Sequence, residues 1–219
     1  KSESSGKNNF LNDCLLSSID DAKREVRDAT AQNFGALVAV SGNECIDLVL
    51  PSLLEMFKTS KKETFEGLMM TIGYLTSNCL NISESNWNTL TNLLMVESEN
   101  TQFGSYSRYV RMNAVQALTR VLRAPSAATF AVHNNMKLIK KSLKVLMKDE
   151  DIDVRRAVGP LFEAYYSFFS KLEEDGHALM NDMLDSCVST LHEEGNEKWE
   201  VRHGIACSLE SICKSSGIV

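Results

Sequence analysis

Apolar residues recur at three- and four-residue steps along most of the chain, and short polar or acidic runs interrupt them at regular intervals. That pattern predicts paired helices. A first pair covers Phe10 to Ser18 and Lys23 to Val40, with Asp20 and Asp21 in the turn and Gly42-Asn43 as the stop. A second begins at Asn43, lines one face with Cys45, Val49, Leu53, Leu54 and Phe57, and continues as a helix from Glu63 to Asn78. A third opens at Ser83 with a capping signature before Trp87, Leu90, Leu93 and Leu94; after a longer polar loop, Glu97 to Tyr106, its second helix runs from Ser107 to Arg123. A fourth spans Asn134 to Lys148 and a helix ending near Leu172, and a fifth spans Asp175 to His192 and Lys198 to Lys214. Pro51 and Pro160 fall inside predicted helices, where each removes a hydrogen bond and is expected to bend its helix.

One phrase marks the start of the second helix in each pair. It reads Val26-Arg27-Asp-Ala-Thr-Ala, Val110-Arg111-Met-Asn-Ala-Val, Val154-Arg155-Arg-Ala-Val and Val201-Arg202-His-Gly-Ile-Ala. The intervals between these arginines are 84, 44 and 47 residues. The first interval is about twice the others, so it contains a degenerate copy, Phe65-Glu66, in which Glu stands in the place of Arg. A repeat of about 40–47 residues is the signature of HEAT or armadillo units. The expected fold is therefore all-α: a right-handed α-α superhelix, a single solenoid of five hairpins at about 10–40, 43–80, 83–123, 127–172 and 175–215. Each hairpin has an apolar face that only a neighbouring hairpin can bury.

A cation in the first turn of a helix opposes the helix dipole and needs a partner. Arg27, Arg111, Arg155 and Arg202 are accordingly read as a structural ladder to the acidic turns, with candidate carboxylates at Asp20, Asp21, Asp149 to Asp153, Glu193, Glu194 and Glu197. Only 3 Pro and 11 Gly interrupt 219 residues, as a helical array requires. The net charge of −6 argues against general nucleic-acid affinity. The six cysteines form no C-x-x-C pair, and they are expected to be buried reduced thiols. No membrane span and no signal peptide are present in the sequence. The chain starts at Lys1 and ends in Ser-Ser-Gly-Ile-Val, and is read as a piece of a longer protein.

No arrangement of residues points to catalysis. The histidines at 133, 177, 192 and 203 lack metal-ligand spacing, and neither a phosphate-binding glycine loop nor a G-x-S-x-G elbow occurs. The expectation is a non-enzyme with no cofactor, no metal and no small-molecule substrate. One charged feature remains. Lys137, Lys140, Lys141, Lys144 and Lys148 form a basic stripe along one helix, whose other face carries Ile139, Leu143, Leu146 and Met147. The stripe is a candidate interaction surface for RNA or an acidic protein, with a solvated outer face as its structural explanation. The loop 97–106 is a second candidate.

The last hairpin carries a more specific likeness. Trp199-Glu-Val-Arg-His-Gly-Ile-Ala-Cys-Ser-Leu resembles a Trp-x-x-Arg-His-Gly helix start in the C-terminal HEAT array of the general-control translational activators. The preceding block, Val110-Arg-Met-Asn-Ala-Val-Gln-Ala-Leu, then Asp149-Glu-Asp and Val154-Arg155, follows in a similar order. The resemblance implies a cytoplasmic, non-catalytic scaffold for translation regulation that binds ribosomes and a protein kinase. The same helix start is similar to one in the HEAT array of the ATPase that strips TATA-binding protein from DNA, which implies a nuclear transcription regulator instead. A tubulin-binding TOG-like domain is a further reading, against which the acidic turns count. An accessory domain of an enzyme is the last.

Overall fold

In a computed structural model, structure is described for residues 14–42, 44–58, 61–79, 82–124, 133–169, 174–194 and 198–215, with the side chains of 44, 133–137, 169, 174–177 and 179 excepted. The described residues form helices joined by short turns, with no strand among them. The helices are α1 (Arg24–Ser41), α2 (Glu44–Met56), α3 (Lys62–Asn78), α4 (Glu84–Ser98), α5 (Ser107–Arg123), α6 (His133–Leu146), α7 (Ile152–Phe169), α8 (Glu174–Glu193) and α9 (Trp199–Ser215). A 3₁₀ turn, Gly104–Tyr106, leads into α5. Most of the helix Phe10–Ser18 expected from the sequence lies outside the described residues.

Local chemistry sets several helix ends. The Ser83 hydroxyl accepts the Asn86 N–H at 3.2 Å and so caps α4. Asp151 does the same for α7, accepting from Asp153 N at 2.9 Å and Val154 N at 3.3 Å. At the end of α1, Gly42 adopts a positive φ of 76°, which a side chain would disfavour. Helices α2 and α7 run on through Pro51 and Pro160. Both prolines are on exposed faces, where the carbonyl deprived of its donor can reach water.

The second helix of each pair packs against the second helix of the next: α1 on α3, α3 on α5, α5 on α7 and α7 on α9. The first helices lie along this row, with α4 on α5, α6 touching α4 and α7, and α8 touching α7 and α9. The row explains the burial pattern. Helix α3 touches α1, α2 and α5 and is buried without interruption from Thr64 to Gly73, whereas α6 buries one stripe, Ile139, Leu143 and Leu146. One apolar cluster extends from Ile19 to Ile212. Each large side chain enclosed in it contributes about 1.5–3 kcal/mol relative to exposure.

Two glycines set the distance between successive pairs. A Cβ on Gly67 would lie 1.9 Å from the Ile19 carbonyl oxygen, and one on Gly204 would lie 1.9 Å from that of Met147. Both sit near the start of a second helix, pressed on the end of the preceding pair's first segment. The cysteines are free, as expected, but not uniformly buried: Cys45, Cys79 and Cys187 are buried, Cys207 and Cys213 are half-buried and Cys14 is exposed. Cys14 lies in a short helical stretch at the edge of the described residues. No helix among the described residues is long and apolar enough to cross a membrane.

Candidate functional site

The repeated arginines occupy the junctions between helix pairs. Arg27 is buried, and its Nη1 donates to the backbone oxygens of Asp21 at 2.6 Å and Ala22 at 3.2 Å. Its Nη2 meets the Glu66 carboxylate at 2.5 Å and the Tyr106 hydroxyl at 3.0 Å. Glu66 also receives Arg24 at 3.1 Å, Asn113 at 3.4 Å and the Tyr106 hydroxyl. Burial first, and then the bond to Glu66, keep the Tyr106 phenol protonated well above its ordinary range.

Arg155 repeats half of this geometry. Its Nη1 donates to the Asp149 oxygen at 2.5 Å and the Glu150 oxygen at 2.9 Å, and its Nε donates to His203 Nδ1 at 3.2 Å. The guanidinium carbon lies 4.6 Å from the Trp199 ring centroid. Arg111 makes a forked bond to Asp149, Nε to Oδ2 at 2.8 Å and Nη2 to Oδ1 at 3.0 Å, and donates to the Asn100 oxygen at 3.1 Å. Arg202 is exposed.

Arg111 meets a carboxylate of the acidic turns, Asp149, as the sequence reading expected, whereas the partners expected for Arg27 and Arg155 need correction. Asp21 and Glu150 offer Arg27 and Arg155 their carbonyls rather than their carboxylates, because turn carbonyls left without a helical donor face the guanidinium. The carboxylate that meets Arg27 is Glu66, the residue standing where the degenerate copy lacks its arginine. Asp20 pairs with Lys61 at 3.0 Å, and Glu194 pairs with Lys148 and with Lys198.

The same junction accounts for the Trp199-x-x-Arg-His-Gly start of α9. Trp199 lies under Arg155, His203 accepts its hydrogen bond, and Gly204 permits the approach to Met147. These motif residues dock α9 onto the preceding pair.

The lysine stripe is divided. Lys140 pairs with Asp182 and ties α6 to α8, and Lys148 pairs with Glu194 and ties the residues just after these two helices. Lys141 and Lys144 are exposed and have no ion-pair partner among the described residues. The side chain of Lys137 lies outside the described residues. The loop candidate at 97–106 is an anchored element. Glu97 and Ser98 belong to α4 and are buried, Glu97 accepts from Asn100 at 2.7 Å, and the Phe103 ring meets Phe65 edge-on at 5.1 Å. Burial pushes the Glu97 carboxyl up, opposed by the Asn100 bond.

The feature that sequence reasoning missed lies on the second-helix row. Three clefts adjoin there. One of about 300 Å³ runs between α1, α3 and α5, bounded by Glu25, Asp28, Tyr74, Gln116 and Arg120. A second of about 450 Å³ lies between α5 and α7 and shares Gln116 and Arg120 with the first. A third of about 420 Å³ reaches α9 and shares Arg123 and Pro160 with the second. Arg120 packs over Tyr74, its guanidinium carbon 4.0 Å from the ring centroid. The available signal was the composition of Ser107–Arg123, which holds four arginines and no carboxylate. Among the described residues no group of His, Cys, Asp or Glu is arranged to hold a metal ion.

No known protein-family profile matches the chain. No curated protein matches it either. Two solved structures, both crystal structures of engineered proteins from the Northeast Structural Genomics Consortium, are similar to it. The first aligns with a TM-score of 0.52 at 14% identity, over 93% of this chain and 79% of the other. The second aligns with a TM-score of 0.34 at 12% identity, over 92% and 98%. The first likeness is one of fold.

Proposed function

We propose that the chain is a HEAT-type α-α superhelix serving as a non-catalytic scaffold, which binds another protein along the row of second helices. The observation that carries the proposal is the line of three adjoining clefts across α1, α3, α5, α7 and α9, each sharing residues with the next. A row of adjoining open clefts of this kind suits a polypeptide segment better than a compact substrate. The residues most repeated along the chain are consumed at the junctions, where Arg27, Arg111 and Arg155 hold one pair to the next. What the repeats leave free is the furrow.

The likeness of Trp199 to Leu209 and of the Val110 block to the translational activators supports a narrower form of this reading, a cytoplasmic scaffold that meets ribosomes and a protein kinase. In that form Lys141 and Lys144 are the lysines left for ribosomal RNA, since Lys140 and Lys148 are paired. A transcription scaffold and a TOG-like tubulin binder remain the rival readings.

The test is photo-crosslinking in cell extract from two positions. A benzophenone side chain at Gln116 in the furrow should capture protein, and one at Lys141 on α6 should capture less unless RNA is present. Capture from Lys141 alone would remove the furrow from the proposal. Ribosomal proteins or a kinase among the adducts would favour the translational form; TATA-binding protein or tubulin would replace it.

A further inference from the structure

Resting on the furrow as the binding face, we infer that its α1–α5 cleft selects an extended peptide segment carrying an acidic side chain for Arg120 and a basic side chain for Glu25 and Asp28. The argument is a balance of charges. Most cations of this face already have a carboxylate partner: Arg123 has Glu163 at 2.5 Å, Arg156 has Asp153 at 3.5 Å, Lys214 has Glu210 at 2.6 Å, and Arg24, which also lines this cleft, has at 3.1 Å the Glu66 that it shares with Arg27. Arg120 differs. It is half-buried and stacked on Tyr74, and no carboxylate among the described residues pairs with it. Its position is also fixed in advance. Gly73 leaves room for it, since a Cβ there would meet Arg120 Nη1 at 3.0 Å.

A guanidinium packed over a ring at this distance still carries the planar fork of donors that fits a carboxylate, and the ring contact leaves less rotamer freedom to be lost on binding. At the α1 side of the same cleft stand Glu25 and Asp28. No cation among the described residues pairs with either, although Asp28 accepts Gln32 Nε2 at 2.8 Å. One cleft therefore presents an unmatched positive charge on one wall and unmatched negative charge on another. A nucleic-acid backbone, negative at every phosphate, would meet Arg120 favourably and the two carboxylates unfavourably. A peptide with both signs satisfies both walls. The α5–α7 cleft shares Gln116 and Arg120 with this one, so the two lie side by side along the row.

The experiment is fluorescence anisotropy of the full chain against labelled decapeptides that place one Glu and one Lys at every relative spacing in an Ala/Ser background. The bound set should require both charges. Arg120→Gln should weaken the best peptide about tenfold or more, the worth of one charge-assisted hydrogen bond, and abolish the preference for Glu over Gln while keeping that for Lys. The pair Glu25→Gln and Asp28→Asn should do the reverse. Arg120→Glu should prefer peptides with Lys in place of Glu, a gain that unfolding cannot produce, and far-ultraviolet circular dichroism checks the fold of each variant. Absence of binding to every peptide, or binding with Glu selectivity intact in Arg120→Gln, overturns the inference. In the second case crosslinking at Gln116 can still uphold the furrow.

Discussion

Arg27 and Glu66 meet at 2.5 Å with side chains only 3% and 1% exposed, one on α1 and the other on α3. The pair joins the recurring Val-Arg phrase of α1 to the degenerate copy, Phe65-Glu66, in which Glu stands in place of Arg. Glu66 is thus the counter-charge of its neighbour, and it gathers Arg24, Asn113 and Tyr106 as well. Removing one partner strands a buried charge, so Glu66→Ala should destabilise the chain by about 3–5 kcal/mol in urea unfolding. A double replacement, Arg27→Met with Glu66→Leu, should cost markedly less. A double variant that loses the sum of the two single losses would mean that the pair is not coupled.

His203 links stability to pH. Burial, then Arg155 and Arg156, hold its imidazole below the ordinary histidine range. Its Nδ1 accepts from Arg155, so the neutral ring is the one that fits. With a folded-state value below the unfolded one, the contribution is fully present above about pH 6.5 and is lost as pH falls toward the lowered value. The melting temperature of the wild-type chain should fall across that window more than that of His203→Gln. Parallel curves would show that the Arg155–His203 bond carries no pH dependence.

Gly67→Ala and Gly204→Ala should each destabilise by about 1–3 kcal/mol, because the added methyl meets a backbone carbonyl that no rotamer can move. A suitable control is Ala206→Gly on the exposed face of α9, for which helix propensity alone predicts about 1 kcal/mol. Melts of the glycine variants at or above the wild type would contradict the close approach of these segments.

The lysines of α6 and of the turn that follows it should separate into two classes. Lys141→Glu with Lys144→Glu should leave the melt within about 0.5 kcal/mol of wild type, since both are exposed. Co-sedimentation with ribosomes at low salt, where it occurs, should drop in this variant. Unchanged co-sedimentation would return these two lysines to the role of a solvated face. Lys148→Glu should instead place like charges against Glu194, whose carboxyl the Lys148 bond holds below its usual range.

The spacing of Val-Arg phrases and the three- and four-residue apolar steps were enough to place the helices. The reading Ser107 to Arg123 coincides with α5, and Glu63 to Asn78 differs from α3 by one residue. Such features are local: periodicity and capping act within a few turns of chain, so they can be read from one strand of sequence. The need for partners at Arg27, Arg111 and Arg155 was legible too, because a guanidinium in a first turn is conspicuous wherever it occurs.

Which partners they take was not. Glu66, Tyr106 and His203 lie 39, 79 and 48 residues from the arginines they contact, and only the stacking of second helices brings them together. The division of the lysine stripe was hidden for the same reason, since helical phase aligned five lysines but could not reveal that Asp182 and Glu194 would meet two of them. The furrow is the clearest case. Arg120 and Tyr74 are unremarkable in sequence, and the charge balance around them depends on which neighbouring side chains each carboxylate reaches. Sequence by itself determined the helices and their repeat, because those follow from local backbone preference; tertiary structure alone decided which charges are satisfied and which remain free to bind, because pairing is settled by distance in space.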